Sequence, residues 1–208
     1  MQRKTCWFFG DSFTRGNGCH FQDDYYVHTH RAEFKRWTTA ISEALGMVEK
    51  NTAVGGESNA GILHTLISNL NKIQKGDKVI LGDTRPIRIL SFDESGNKVN
   101  TINDPYFNYT QGNSKFILDY IYYEIAPKEE FYLDFYQKSF GNILRELENR
   151  GVSTYFWKHT GIWYPDSVFE TITTATKGKI HNLHWSWKGH SDMTAYILNE
   201  IEKNSTLI

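Results

Sequence analysis

Cysteine is nearly absent: only Cys6 and Cys19 occur in 208 residues. Two thiols are too few for a disulfide scaffold and fit a reducing compartment. Positive charge has no surplus either, because 23 Lys and Arg stand against 24 Asp and Glu, a formal net charge of −1. With no basic excess to displace counterions, no nucleic-acid partner is expected. Long apolar runs are missing as well. The stretch at residues 5–9 stops at Gly10-Asp11, short of the roughly 7–15 apolar residues of a signal-peptide core. Nothing approaches the ~18 residues that span a bilayer, so the expectation is a cytoplasmic chain without a membrane partner. Internal repeats, low-complexity tracts and linkers are also lacking, which points to one domain over residues 1–208.

What is present is globular in character. Hydrophobic residues make up 39% and charged residues 23%, which excludes a disordered chain, a collagen and a coiled coil. Aromatics are plentiful, with 6 Trp, 12 Tyr and 13 Phe. They suit a rigid core, with one or two exposed rings available to stack on a sugar or acyl group.

Short apolar runs alternate with helix-period segments. Residues 5–9 read as a buried strand ended by Gly10. Residues 32–46 place Phe34, Trp37, Ile41 and Leu45 on one helical stripe, with Gly46 as the C-cap candidate. Residues 47–54 are a weaker strand. Residues 59–73 carry Ile62, Leu63, Leu66, Ile67, Leu70 and Ile73 at helical spacing. A turn at Gly76-Asp77 leads to a short strand at 78–81. Residues 131–149 form a helix with Phe135, Ile143, Leu144 and Leu147 inward, Gly151 ends it, and 152–157 is a strand. The last helix follows Trp185 and runs to about Lys203, with Met193, Tyr196, Ile197 and Ile201 on one side. This alternation predicts an α/β protein, a three-layer α/β/α sandwich around a parallel sheet. Residues 86–128 break the pattern and read as an insertion, a hairpin plus irregular loop. Residues 158–183 are a second loop-rich stretch.

Three loops carry residues suited to chemistry. Gly10-Asp11-Ser12 follows the first strand, where α/β sheets open their ligand crevice. A turn there can expose the Ser12 hydroxyl, and Asp11 or Ser12 can equally cap the next segment. Gly10 and Gly16 have five residues between them, where a phosphate loop has four, and Asn17 stands where it needs Lys, so a nucleoside-triphosphate site is rejected. A phosphate or cofactor binder using the Gly10–Gly18 loop is a remaining third class. The second loop, residues 51–59, holds Gly55-Gly56, which lets a backbone amide approach a ligand, and Ser58 or Asn59 as a helix cap. The third, residues 184–190, offers His184 as a base for a distant serine, with Ser186 as a plausible N-cap.

Taken in order, these pieces resemble the SGNH or GDSL-type hydrolases. Phe9-Gly10-Asp11-Ser12-Phe13-Thr14 resembles the nucleophile block. Residues 51–58 resemble the second block, whose oxyanion glycine corresponds to Gly56. Residues 78–82 resemble the strand before the third block. Residues 184–195 resemble the last block, with His184 as the base. The blocks span residues 8–197, and their style is similar to members carried by bacteriophages. The resemblance implies a flavodoxin-like SGNH fold and hydrolysis of an ester, most readily a small acyl group on a carbohydrate, with no metal or organic cofactor. It implies Ser12 as nucleophile, His184 as base, and Ser12, Gly56 and Thr84 as oxyanion donors. Asp11, Asn59, Arg85 and Trp185 are the expected substrate-binding residues.

Two blocks depart from the family pattern. Thr84 occupies the position of the oxyanion Asn, with Arg85 or Arg88 as electrostatic compensation. The positions three and two residues before His184 hold His181 and Asn182 in place of the Asp, leaving Asp166 and Asp192 as the nearest carboxylates in sequence. These departures motivate an alternative, a catalytically inactive binding or structural module on the same scaffold. Cys19-His20, Asp23-Asp24 and His28-Thr29-His30 read as a polar loop near the nucleophile turn and not as a metal site. Of the aromatic group Trp157, Trp163, Tyr164, Trp185 and Trp187, at least two are expected in the core.

Overall fold

The computed structural model describes residues 3–17, 19, 21–22, 25–26, 35–84, 88–92, 98–101, 128–158, 180–181 and 184–205. The chain builds β1 (Thr5–Phe9), β4 (Val48–Asn51), β5 (Lys78–Gly82) and β8 (Ser153–Trp157) into one sheet in the order β4-β1-β5-β8. All three pairings are parallel. The inner strands are continuous apolar runs because both of their faces are covered. In β1, Cys6 and Phe8 point to one core cluster while Trp7 and Phe9 point to the other. In β5, Ile80 faces the first cluster, and Val79 and Leu81 face the second.

Helices complete the outer layers. The first cluster holds Trp37 and Ile41 of α2 (Trp37–Ala44) with Met193 and Ile197 of α5 (Trp187–Ser205). The second holds Ile62 and Leu66 of α3 (Asn59–Asn69) with Phe140, Leu144 and Leu147 of α4 (Glu129–Asn149). The result is the expected α/β/α sandwich. Counted in sequence, the sheet runs second-first-third-fourth strand, the flavodoxin-like winding that switches direction between β1 and β5. Among the described residues no helix is long and apolar enough to cross a membrane.

Several boundaries shift. The second helix starts at Trp37, and the expected Phe34 lies outside the described residues. Leu45 is the cap, and Gly46, at φ 64°, sits one residue beyond it. Gly46 N–H donates to the Glu43 carbonyl and Met47 N–H to that of Ser42, the Schellman closure. α3 stops at Asn69. Ile67 and Phe135, both expected inward, are half exposed, while Phe140 is fully buried. The insertion does contain a hairpin, β6 (Ile89–Phe92) antiparallel to β7 (Lys98–Thr101). Residues 102–127 and 159–179 lie outside the described residues. Two short antiparallel pairs complete the order: β2 (Phe21–Gln22) with β3 (Tyr25–Tyr26), and β9 (Ile180–His181) with β10 (His184–Trp185).

Candidate active site

Open α/β sheets bind ligands at the carboxyl ends of the strands where the winding reverses. Here that crevice lies between the ends of β1 and β5, and it gathers the three loops singled out by sequence. After β1, Asp11 caps the four-residue helix α1 (Ser12–Arg15), its Oδ1 accepting the Phe13 N–H at 3.0 Å. Gly16 closes the helix in the left-handed conformation. Gly10 is required by contact: a Cβ there would fall on the side chain of Thr14. Ser12 is therefore held at the first turn of a short, capped helix, 4% exposed.

The second loop is laced to the first. Thr52 N–H and Oγ1 both donate to the Phe8 carbonyl, and Val54 N–H donates to that of Gly10 at 3.3 Å. Gly56 adopts φ 72°, a conformation that disfavours side chains. Ser58 caps α3 by accepting Gly61 N–H at 3.1 Å. Among the described residues neither the Ser12 nor the Gly56 amide donates a hydrogen bond, so both donors remain for a developing oxyanion.

The loop after β5 supports the first two. Asn59 and Thr84 make a reciprocal pair, Thr84 N–H to Asn59 Oδ1 at 2.8 Å and Asn59 Nδ2 to the Thr84 carbonyl at 2.7 Å. The Thr84 hydroxyl donates to Asp11 Oδ2 at 2.9 Å. Arg88 Nη1 donates to the same Asp11 oxygen at 2.8 Å, to Thr84 Oγ1 at 2.6 Å and to the Glu57 carbonyl at 3.3 Å.

These contacts correct four expectations. The only hydroxyl proton of Thr84 is committed to Asp11, so Thr84 braces the site and supplies no oxyanion bond in this geometry. Asn59 spends its amide on Thr84 and is buried. Asp11 is wholly buried, with both carboxylate oxygens engaged. Trp185 is also wholly buried, its ring 4.9 Å from Phe13 and 5.9 Å from Trp157. It is a wall of the core and presents no face to a substrate. Arg85, Trp163, Tyr164 and Asp166 lie outside the described residues.

His184 stands on β10, paired with His181 of β9. Its imidazole packs on the ring of Phe13 with centroids 5.2 Å apart, and Phe13 is the residue after Ser12. The His184 ring thus packs on the residue that follows Ser12; the Ser12 carbonyl accepts the Gly16 and Asn17 N–H groups, and its hydroxyl makes no hydrogen bond among the described residues. Asp192 is not the missing orienting carboxylate, since Lys188 holds it at 2.9 and 3.1 Å on the surface of α5. Ser186 precedes α5 but does not cap it through its side chain: its buried hydroxyl has no partner among the described residues. Its carbonyl instead accepts His190 N–H at 3.1 Å. His190 is buried beneath the site, with Nε2 3.2 Å from the Asn17 carbonyl. Among the described residues no cluster of three or more His, Cys, Asp or Glu is placed to hold a metal ion.

Sequence reasoning did not single out Glu57, buried at 1% exposure next to Gly56, nor Asp83, buried at the end of β5 and bonded by Gln137 Nε2 at 3.0 Å. The available signal was position, since both follow a glycine at a strand or turn end.

Solved structures similar to this chain include a lipolytic protein of the G-D-S-L family from Desulfitobacterium hafniense DCB-2. The identity is 12% and the TM-score 0.46, over 93% of this chain and 97% of that one. A second is the psychrotrophic esterase EstA from Pseudoalteromonas sp., in a structure inhibited by monoethylphosphonate, at 12% identity and TM-score 0.47 over 98% and 99% of the two chains. A third is a carbohydrate esterase whose active site is described as displaying divergent catalytic and non-catalytic binding functions. Its identity is 13% and its TM-score 0.47, over 98% of this chain and 66% of that one. No family model and no curated protein matches the chain.

Proposed function

We propose that this chain is a serine ester hydrolase acting on a small acyl ester, with an acylated carbohydrate as the substrate class. The observation that carries the reading is the His184 imidazole seated on Phe13, next to Ser12, at the winding switch of a parallel sheet. Ser12 Oγ attacks the ester carbonyl as His184 takes its proton. The tetrahedral oxyanion is held by the amides of Ser12 and Gly56. Collapse expels the alcohol, which receives the proton from His184. Water, deprotonated by His184, then attacks the acyl-Ser12 ester, and collapse releases the acid as Ser12 Oγ takes the proton back from His184.

The test is turnover of p-nitrophenyl acetate together with fluorophosphonate labelling. Wild type is expected to turn over and to carry the label on Ser12. Ser12→Ala is expected to lose both, with activity falling by about 10⁴-fold or more. Turnover that persists in Ser12→Ala, or a label found elsewhere, overturns the reading.

A second reading, an inactive binding module, is favoured by one observation: the Thr84 hydroxyl is turned to Asp11 and away from any oxyanion role. It predicts saturable binding of acylated sugars without hydrolysis or labelling.

A further inference from the structure

We propose that Arg88 is the positioning residue that sets the oxyanion site, tying the nucleophile turn to the Gly56 turn. The catalytic part of this inference rests on the esterase reading, whereas the tie itself rests on geometry alone. One nitrogen, Nη1, reaches Asp11 Oδ2, Thr84 Oγ1 and the Glu57 carbonyl. Asp11 immediately precedes Ser12 and Glu57 immediately follows Gly56. A single planar cation therefore grips the neighbours of both amides that would hold the oxyanion. Thr84 closes the figure by donating to the same Asp11 oxygen at 2.9 Å, so Arg88, Thr84 and Asp11 form a bonded triangle.

Burial gives the triangle its weight. The Arg88 side chain is 13% exposed and that of Asp11 0%, so solvent and salt screen the pair little. Asp11 does double duty, because its other oxygen caps α1. Pulling Arg88 away leaves Asp11 Oδ2 with Thr84 alone and loosens the carboxylate whose other oxygen caps the helix that presents Ser12. Thr84 is bonded to Asp11, and the longer Arg88 reaches both Asp11 and the Glu57 carbonyl. Nη1 stands one bond farther from the backbone than a lysine Nζ would, so Lys is not an equivalent replacement.

The experiment compares wild type, Arg88→Ala, Arg88→Lys and Arg88→Ala with added guanidinium, all in the full chain. The readouts are kcat and KM on p-nitrophenyl acetate, the rate of fluorophosphonate labelling at Ser12, and hydrogen exchange of residues 10–16 and 52–58. In Arg88→Ala, kcat is expected to fall about 10²–10³-fold, as for loss of an oxyanion donor. KM should stay within about threefold, because the substrate's ground-state contacts remain. Labelling slows in parallel and exchange quickens at both turns, while residues 78–82 keep their protection. Guanidinium restores at least about tenfold of the lost kcat, and Arg88→Lys keeps the melting temperature without recovering kcat.

A kcat in Arg88→Ala within threefold of wild type overturns the catalytic part. Unchanged exchange at both turns overturns the tie. Should wild type itself neither hydrolyse nor label, the esterase reading fails and the exchange data alone decide the tie. If Arg88→Ala does not fold, Arg88→Lys and Arg88→Gln carry the same comparison.

Discussion

Single buried polar residues define both ends of this sheet. Asp77, 5% exposed, accepts from Thr5 N–H and Gln74 N–H through different oxygens, and from Trp7 Nε1 at 3.1 Å. It joins the starts of β1 and β5 and the turn before β5. Asp77→Ala strands three donors at once and is expected to lower unfolding free energy by at least about 3 kcal/mol. Asp77→Asn, which keeps one acceptor, should lose roughly half as much. Urea unfolding with an unchanged m-value checks both. Cys6 makes a residue-scale prediction about pH. Burial, the main cause, pushes its thiol from the ordinary 9.0 to about 12, partly offset by its hydrogen bond to Ser42. The folded state thus holds this proton more tightly than the unfolded chain does. The associated stability is whole below pH ~9 and declines as pH rises from 9 toward 12, by up to about 4 kcal/mol. Tyr155 is shifted upward by burial as well, and its effect has the same sign. Chemical denaturation at pH 8 and pH 11 should show the fall. Serine at position 6 should flatten the part due to the thiol.

At the scale of elements, strands and helix order were legible because their signals are local. An apolar run such as residues 5–9 between a charged start and Gly10 leaves little freedom. Helix faces were read less well, and the reason is angular. Successive helical residues turn by about 100°. Phe135 therefore lies some 140° from Phe140, and Ile67 about the same from Ile62, so neither can share the buried stripe. Anchoring the count on Phe140, with Leu144 four positions away and Leu133 and Leu147 seven, recovers the observed face of α4. Of the candidate site, the places of Ser12 after β1, Gly56 before α3 and His184 before α5 were legible because each adjoins a strand or helix boundary. The roles of Asp11, Asn59 and Thr84 were not, because hydrogen bonds between residues 25 and 73 positions apart leave no trace in spacing. The nucleophile element also carries a prediction. Gly10→Ala drives a methyl group into Thr14 and displaces α1, and esterase turnover should drop by about 10²-fold or more. Combining it with Thr14→Gly, which removes the obstructing side chain, should recover part of the loss in the same assay.

Across the molecule, the two apolar clusters among the described residues lie on opposite faces of the sheet. A cavity in either one is expected to weaken the same cooperative unit. Leu144→Ala or Leu66→Ala in the second cluster should reduce unfolding free energy by about 2–5 kcal/mol, as should Ile41→Ala in the first. Coincident fluorescence and circular-dichroism transitions in each variant would check that the layers unfold together. The Asp77 clasp lies at the amino-terminal rim of the strands, whereas Ser12, Gly56, Thr84 and Arg88 hang from the opposite rim. Ruggedness and the proposed chemistry thus reside at opposite poles, which leaves the lower pole open to engineering for heat resistance without touching the proposed site, and the upper loops open to exchange on an undisturbed foundation.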